Sequence, residues 1–205
     1  MRDKVLFATL LCGLVLGAEG LQAQNMTFGA KLGYTSSSLT EAEGFSSDGG
    51  LVLGGYLGLG LGETFFLAAE GLYDQRKASS ADSEQNDSFE QVFLSVPLLI
   101  GARFGTGLLQ PRIYGGVSVS FALDCKETTG GMTVGDPQCS ERLDIRGQTW
   151  SGAVGAGLDV SLLVLVVNAD VRYNIGLTEI SADPDIESKW NGWMFTLGAG
   201  IRLGG

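Results

Sequence analysis

The segment LVLGGYLGLGLGETFFLAAEGLYDQR, residues 51–76, contains two alternating stretches on either side of a short break. In residues 51–61, leucine recurs at every second position except one, and the opposite positions hold mostly glycine and tyrosine. Apolar residues with a period of two predict a β-strand whose two faces have different surroundings. The segment therefore predicts a hairpin of two strands, residues 51–61 and 65–76, joined by a tight turn at residues 62–64.

The same alternation recurs along the rest of the chain. It covers eight segments, at residues 26–34, 51–61, 65–76, 91–104, 111–123, 149–160, 163–176 and 190–203. After the N-terminus, no segment is apolar for the 18 consecutive residues that a transmembrane helix needs. Eight such strands predict an all-β fold, an antiparallel up-and-down barrel. Alternation alone does not decide between a membrane barrel with its apolar face outward and a secreted soluble ligand-binding barrel with that face inward.

The charged residues within the membrane-depth part of the predicted strands all lie on the face opposite the apolar one. They are Lys31, Glu70, Arg103, Arg112, Asp159, Asp170, Arg172 and Arg202. Five basic and three acidic groups on one face can pair with each other inside a narrow lumen, while the other face is uniformly aliphatic or aromatic. This placement favours a transmembrane barrel with a charged interior.

Long and short connections alternate between the predicted strands. The long ones are residues 35–50, 77–90, 124–148 and 177–189, and the short ones are residues 62–64, 105–110 and 161–162. Outer-membrane barrels have long loops outside the cell and short turns in the periplasm, and an even number of strands places both ends of the barrel in the periplasm. Aromatic residues near the strand ends predict two interfacial girdles, formed by Tyr34, Tyr73, Phe121, Trp150, Tyr173, Trp190 and Trp193 near the long loops and by Phe28, Phe65 and Phe104 near the short turns.

The N-terminal segment predicts export. Two basic residues, Arg2 and Lys4, precede a run of 14 apolar residues and then small and polar residues, which is the pattern of a secretory signal peptide. We expect residues 1–23 to be the signal peptide, with cleavage after Ala23 favoured over Gly20, and residues 24–205 to be the barrel domain.

Two cysteines remain after this predicted cleavage, Cys125 and Cys139. Both lie in the polar stretch of residues 124–148, and an exported chain meets oxidising conditions. We expect a disulfide that closes part of this loop, in preference to a redox or metal site, because the spacing is not CxxC and the chain has no histidine.

Several segments resemble the PorT-like family of small outer-membrane β-barrel domains. They are EGLYDQR (70–76), LSVPLLIGARF (94–104), PRIYGGV (111–117), VGAGLDV (154–160), DVRYNIGLTEI (170–180) and LGAGIRL (197–203). The resemblance covers essentially the whole mature chain and implies an outer-membrane barrel, surrounded by lipid and lipopolysaccharide and inserted by the barrel insertion machinery. It implies no particular activity. The resemblance is also compatible with Pro97 within a strand. We expect a bulge or local break there, because proline has no backbone N–H to donate to the neighbouring strand.

Composition excludes several classes of function. The chain of 205 residues carries 13 basic and 23 acidic residues, so its net charge of -10 argues against nucleic acid as a partner. With no histidine and no base near its serines, no catalytic residue, cofactor or metal site is predicted. Three loop acids, Asp183, Asp185 and Glu187, lack the spacing of a calcium motif and are expected to be solvated.

The predicted loop ends carry the net charge. Residues 35–50, 74–90, 124–148 and 177–189 hold 17 acidic and 6 basic residues. This acidic crown serves solubility, bridges to phosphorylated lipopolysaccharide through divalent ions, or docks an extracellular basic partner. The sequence therefore predicts a monomeric outer-membrane barrel with a structural or loop-mediated role and no catalysis, with a small solute-passing pore as the alternative.

Overall fold

The computed structural model describes residues 25–39, 45–80, 88–129, 132–135, 147–179 and 189–204. The predicted signal peptide, Cys139 and the acids at 183, 185 and 187 lie outside these residues. The strands are β1 (Met26–Leu39), β2 (Phe45–Leu61), β3 (Phe65–Ser80), β4 (Ser88–Arg103), β5 (Leu109–Thr129), β6 (Met132–Gly135), β7 (Gln148–Leu162), β8 (Leu165–Gly176) and β9 (Trp190–Leu203). The described ranges contain no helix that is long and apolar enough to cross a membrane.

Eight of these strands form a closed antiparallel barrel. Each pairs with its neighbour along the chain, β5 pairs with β7, and β9 pairs with β1 to complete the circle. The short strand β6 pairs with the end of β5 and forms a hairpin beyond the barrel wall. The predicted all-β, eight-stranded, up-and-down barrel is therefore confirmed.

The strands extend further than predicted at the end that carries the long connections. β1 reaches Leu39, β2 begins at Phe45 and β5 continues to Thr129 before its hairpin with β6. These extensions are rich in serine, threonine and charged residues on both faces, so they lack the apolar alternation from which the strands were predicted. Backbone pairing continues there because it does not require an apolar face.

Tight turns close the opposite end. Gly62, between β2 and β3, and Gly105, between β4 and β5, have positive φ angles of 72° and 83°. Glycine adopts this region without steric cost. Leu163, in the turn between β7 and β8, also has a positive φ, 56°, and its side chain is 97% exposed.

The two faces of the barrel wall differ sharply. Outward leucines are well exposed, for example Leu32 and Leu197 at 59% each, whereas the inward Lys31 and Arg172 are buried. A soluble barrel with an apolar interior is therefore wrong for this chain, because most of its large apolar side chains point out, whereas the charges within the apolar band of its strands point in.

Most of the predicted girdle residues face outward, but Trp190 does not. Its side chain is buried on the inner face at the start of β9, where its Nε1 donates to Oε1 of Gln91 at 3.0 Å. Trp190 shares its parity in β9 with the inward Met194 and Thr196, which explains its orientation.

Pro97 remains within β4 and faces the interior. The ladder between β3 and β4 is interrupted there, since paired residues resume only at Ala69 with Leu98 and Leu72 with Ser95. The register between β4 and β5 also shifts nearby, at Val92. The expected local break is therefore present.

The outward orientation of β2 generates a stability prediction. Leu57 pairs with the outward Phe28 and Ala69 and is 42% exposed. Leu57→Arg should lower the free energy of unfolding in lipid vesicles by about 2 to 4 kcal/mol, because it places a guanidinium against hydrocarbon. Reversible urea unfolding of the reconstituted protein measures this difference.

The matched control is Leu163→Arg, the same substitution in an exposed turn. It should change the unfolding free energy by less than about 0.5 kcal/mol, since that turn lies beyond the apolar wall. Equal tolerance of both substitutions would contradict the outward assignment of Leu57.

Candidate functional site in the barrel interior

The interior of the barrel collects charged side chains from seven strands. All eight residues predicted for the lumen occupy inward positions of their strands, at Lys31, Glu70, Arg103, Arg112, Asp159, Asp170, Arg172 and Arg202. We call this set the luminal charges. Strand parity alone fixes their direction, because successive side chains of a strand point to opposite faces.

Lys31 lies at the centre of the luminal charges. Its Nζ donates to Oε1 of Glu70 at 2.8 Å and to Oδ2 of Asp170 at 2.9 Å. Arg172 donates through an Nη atom to the other oxygen of Glu70, also at 2.8 Å. One lysine therefore links β1 to β3 and β8, across the width of the barrel.

Asp170 continues the chain of ion pairs towards the short turns. An Nη atom of Arg112 donates to both of its carboxylate oxygens at 2.7 Å. The other Nη of Arg112 lies 3.3 Å from Asp159, whose second oxygen accepts from Nε of Arg103 at 3.0 Å. Seven luminal charges thus form one continuous network.

The cations of this network also pack against aromatic rings. Lys31 lies 5.3 Å from the centre of the Tyr56 ring, and Arg112 lies 5.8 Å from the rings of both Phe66 and Tyr114. Rings and carboxylates together compensate part of the cost of removing these charges from water.

Arg202 is the exception among the luminal charges. It lies on the inner face of β9, opposite Thr27 of β1, and forms no ion pair within the described residues. Its Nε and one Nη are buried and have no hydrogen-bond partner there.

A second polar cluster lies nearer the long connections and was missed. Arg76 donates through Nε and Nη2 to Asp74 at 2.9 and 2.6 Å, and Ser95 donates to the same carboxylate oxygen at 3.3 Å. Asp74 and Arg76 were predicted to belong to the crown, which is wrong because both are buried. Both share the even parity of Glu70 along β3, so the alternation already contained the signal.

Glycine makes room for the large interior side chains. A side chain at Gly155 would collide with the ring of Tyr114, and one at Gly157 would collide with Asp170 and crowd Arg112. The space left between Tyr56, Phe66 and Arg112 is about the size of one or two water molecules.

The arrangement shows no grouping typical of a metal centre. In the part of the chain that the structure describes, no three histidine, cysteine, aspartate or glutamate side chains come together in a way that could hold a metal ion. The interior carboxylates instead accept from arginine and lysine.

Comparison with known families assigns the chain to a family. The model of the outer membrane protein β-barrel domain matches residues 22–182, most of the chain. The chain belongs to this family. The barrel wall, with its apolar outside and charged inside, is therefore that of an outer-membrane protein. The matched family is broader than the PorT-like group.

Solved barrels share the fold at low identity. The outer membrane protein OprG of Pseudomonas aeruginosa superimposes with a TM-score of 0.60 at 14% identity, over 89% of this chain and 97% of that one. Neisserial surface protein A gives 0.53 at 14% identity, over 87% and 96%. The outer membrane protein W of E. coli gives 0.52 at 16% identity, over 89% and 100%. No curated protein matches the chain by sequence.

Cys125, the first cysteine of the predicted disulfide, lies near the end of β5 and is buried. It pairs in register with Gln91 of β4, in the part of the barrel wall that precedes the β5–β6 hairpin. Its predicted partner lies outside the described residues, so the bond stays a prediction.

The network predicts a large cost for removing one carboxylate. Asp170→Asn keeps the shape of the side chain but leaves Lys31 and Arg112 with one carboxylate each. We expect a loss of about 3 kcal/mol in unfolding free energy, the lower end for breaking a buried ion pair, because both cations keep a second partner. Urea unfolding in vesicles provides the measurement.

Lys77→Gln serves as its control. Lys77 forms a half-exposed pair with Glu90 at 3.4 Å, and such pairs contribute at most about 1 kcal/mol. Equal losses for the two variants would show that the interior pairs are no stronger than exposed ones.

The disulfide has a direct test. If Cys125 and Cys139 are bonded, reduction should increase protease cleavage in the loop while the folded barrel keeps its fast migration on unheated gels, because the ladder closes without the bond. Labelling of both thiols in unreduced protein would refute the pairing.

Proposed function

We propose that this protein is a monomeric, non-catalytic barrel of the outer membrane that acts as a structural element or through its loops, with an interior closed to solutes. The proposal includes export by a signal peptide at residues 1–23 and membership of the PorT-like group within the family. The PorT-like assignment is supported by the segments quoted above.

One observation carries the proposal, the ion-pair network across the lumen. Its contacts run from Arg103 through Asp159, Arg112 and Asp170 to Lys31, joining five strands. An eight-stranded barrel has an interior just wide enough for side chains to fill. Side chains that bond across this width leave no continuous aqueous path.

The loops are the remaining surface for interaction. Moving Asp74 and Arg76 into the interior removes one acid and one base from the crown, so its acidic excess is unchanged. Carboxylates at this density attract divalent cations, which can bridge to the phosphates of lipopolysaccharide, or attract a basic partner. Lipid around the wall and the insertion machinery are the other partners we propose.

A non-catalytic role is supported by composition. The chain contains no histidine, so the commonest general base is missing. Its buried carboxylates are held by cations, as in the pair of Lys31 with Glu70, which leaves them poorly placed to accept a proton from a substrate.

Conductance distinguishes this proposal from a pore. Folded, purified protein in planar lipid bilayers should give no stable channel of porin size, because the network spans the lumen. Reproducible large conductance from the monomer would defeat the proposal and favour solute passage.

A charge-balanced double variant provides the comparison. Arg112→Ser with Asp170→Ser removes one cation and one anion from the middle of the network, and leaves the pairs of Lys31 with Glu70 and Arg103 with Asp159. We expect this variant to pass more ionic current than the wild type at the same folded amount.

A further inference from the structure

The end of the barrel with the short turns has an excess of positive charge. The luminal charges comprise five basic and three acidic groups, and the three carboxylates already bind four of the cations. Arg202 is the fifth. In this family of barrels, the end with the short turns faces the periplasm.

Arg202 is held in place by its backbone while its side chain lacks an acceptor. Its N–H donates to the carbonyl oxygen of Val164 at 2.7 Å, which fixes the residue at the end of β9. Its Nε and one Nη are buried without a partner in the described residues. Burying a charged donor without an acceptor is unfavourable, so an acceptor supplied from outside the chain would be bound.

Arg103 supplies a second cation at the same end of the lumen, from the opposite side of the barrel. Its Nε is bound to Asp159, but its side chain is 16% exposed and can be reached from the open end. Arg103 lines the same small cavity as Thr27, the residue of β1 that pairs with Arg202, so both arginines border one space at this end. A guanidinium has five N–H groups, so one carboxylate leaves most of those on Arg103 available.

Two neutral groups on neighbouring strands of the same end are also unpaired. The Oγ of Ser161, on β7, and the Oε1 of Gln110, on β5, are buried without a partner among the described residues. A hydroxyl can donate, and the amide of Gln110 carries N–H donors beside this oxygen.

We propose that Arg103 and Arg202 form a binding site for a phosphate-class oxyanion at the periplasmic mouth of the barrel. A guanidinium matches the geometry of phosphate oxygens, and the excess of two positive charges among the luminal charges as a whole favours an anion. The network through Arg112 and Asp170 closes the lumen above this level. The anion therefore enters and leaves on the periplasmic side.

The test uses the full folded chain in an uncharged detergent and a phosphate-free buffer. The temperature at which the fast-migrating folded form disappears from gels is measured while sodium phosphate replaces chloride at constant ionic strength. We expect a saturable rise for the wild type, because a ligand that binds the folded state stabilises it. Arg202→Gln should abolish this rise and, in chloride alone, should be at least as stable as the wild type.

Lys77→Gln is the matched control, because it removes one positive charge from a half-exposed pair and should keep the wild-type response. A second arm replaces inorganic phosphate with phosphatidic acid in the micelles. A response to the inorganic ion indicates a free anion, and a response to the lipid alone indicates a headgroup, both of which support the site.

The site is overturned if neither form of phosphate raises the wild-type temperature above chloride, or if Arg202→Gln responds as the wild type does. Large conductance from the wild type would contradict the proposal that the barrel is closed to solutes. It would not affect the comparison of phosphate with chloride.

Discussion

Closure of the backbone ladder is the constraint on which the rest of the structure depends. Lipid offers no hydrogen-bond partner to an open strand edge, so β9 must pair with β1 along its whole length. Eight strands then enclose a space of side-chain width. Little bulk water fits beside the inward side chains, so most charges placed there find their partners among the other inward residues, and Arg202 is the exception.

The network that results depends on the whole barrel. Lys31 and Asp170 are 139 residues apart in the chain, and Lys31 and Glu70 are 39 apart. None of these contacts exists until distant strands have met in register. A slip of one residue would turn a strand's charges towards lipid, so the ion pairs and the apolar wall specify the same register. We see this specificity as the main contribution of the pairs, since buried ion pairs often add little net stability.

The sequence predicted side-chain directions and strand bounds well where one face of a strand contacts lipid, because that face must be apolar. It predicted them poorly where both faces contact water. All eight luminal charges were predicted, because a charge within the apolar band of a strand has one tolerable direction. The ends of β1 and β5 were placed too early, the start of β2 was placed too late, and β6 was missed, because polar strands in water carry no alternation. Trp190 was assigned to the girdle from its position at a strand end, although its parity with Met194 points inward. Which cation meets which carboxylate depends on the register across several strands, and that information is not contained in any single strand.

The two ends of the interior differ in the net charge of their side chains. Near the long connections, Asp74 and Arg76 pair with each other and Gln91 binds Trp190, so this end contributes no net charge. Near the short turns, Asp159 binds Arg103 and Arg112, and Arg202 has no acceptor among the described residues. The long connections, whose sequences contain the acidic crown, join the strand ends opposite to these arginines, a separation greater than the screening length of about 10 Å at moderate salt. Because the charges at one end act only weakly at the other, anions are repelled from the outer mouth and attracted to the periplasmic one.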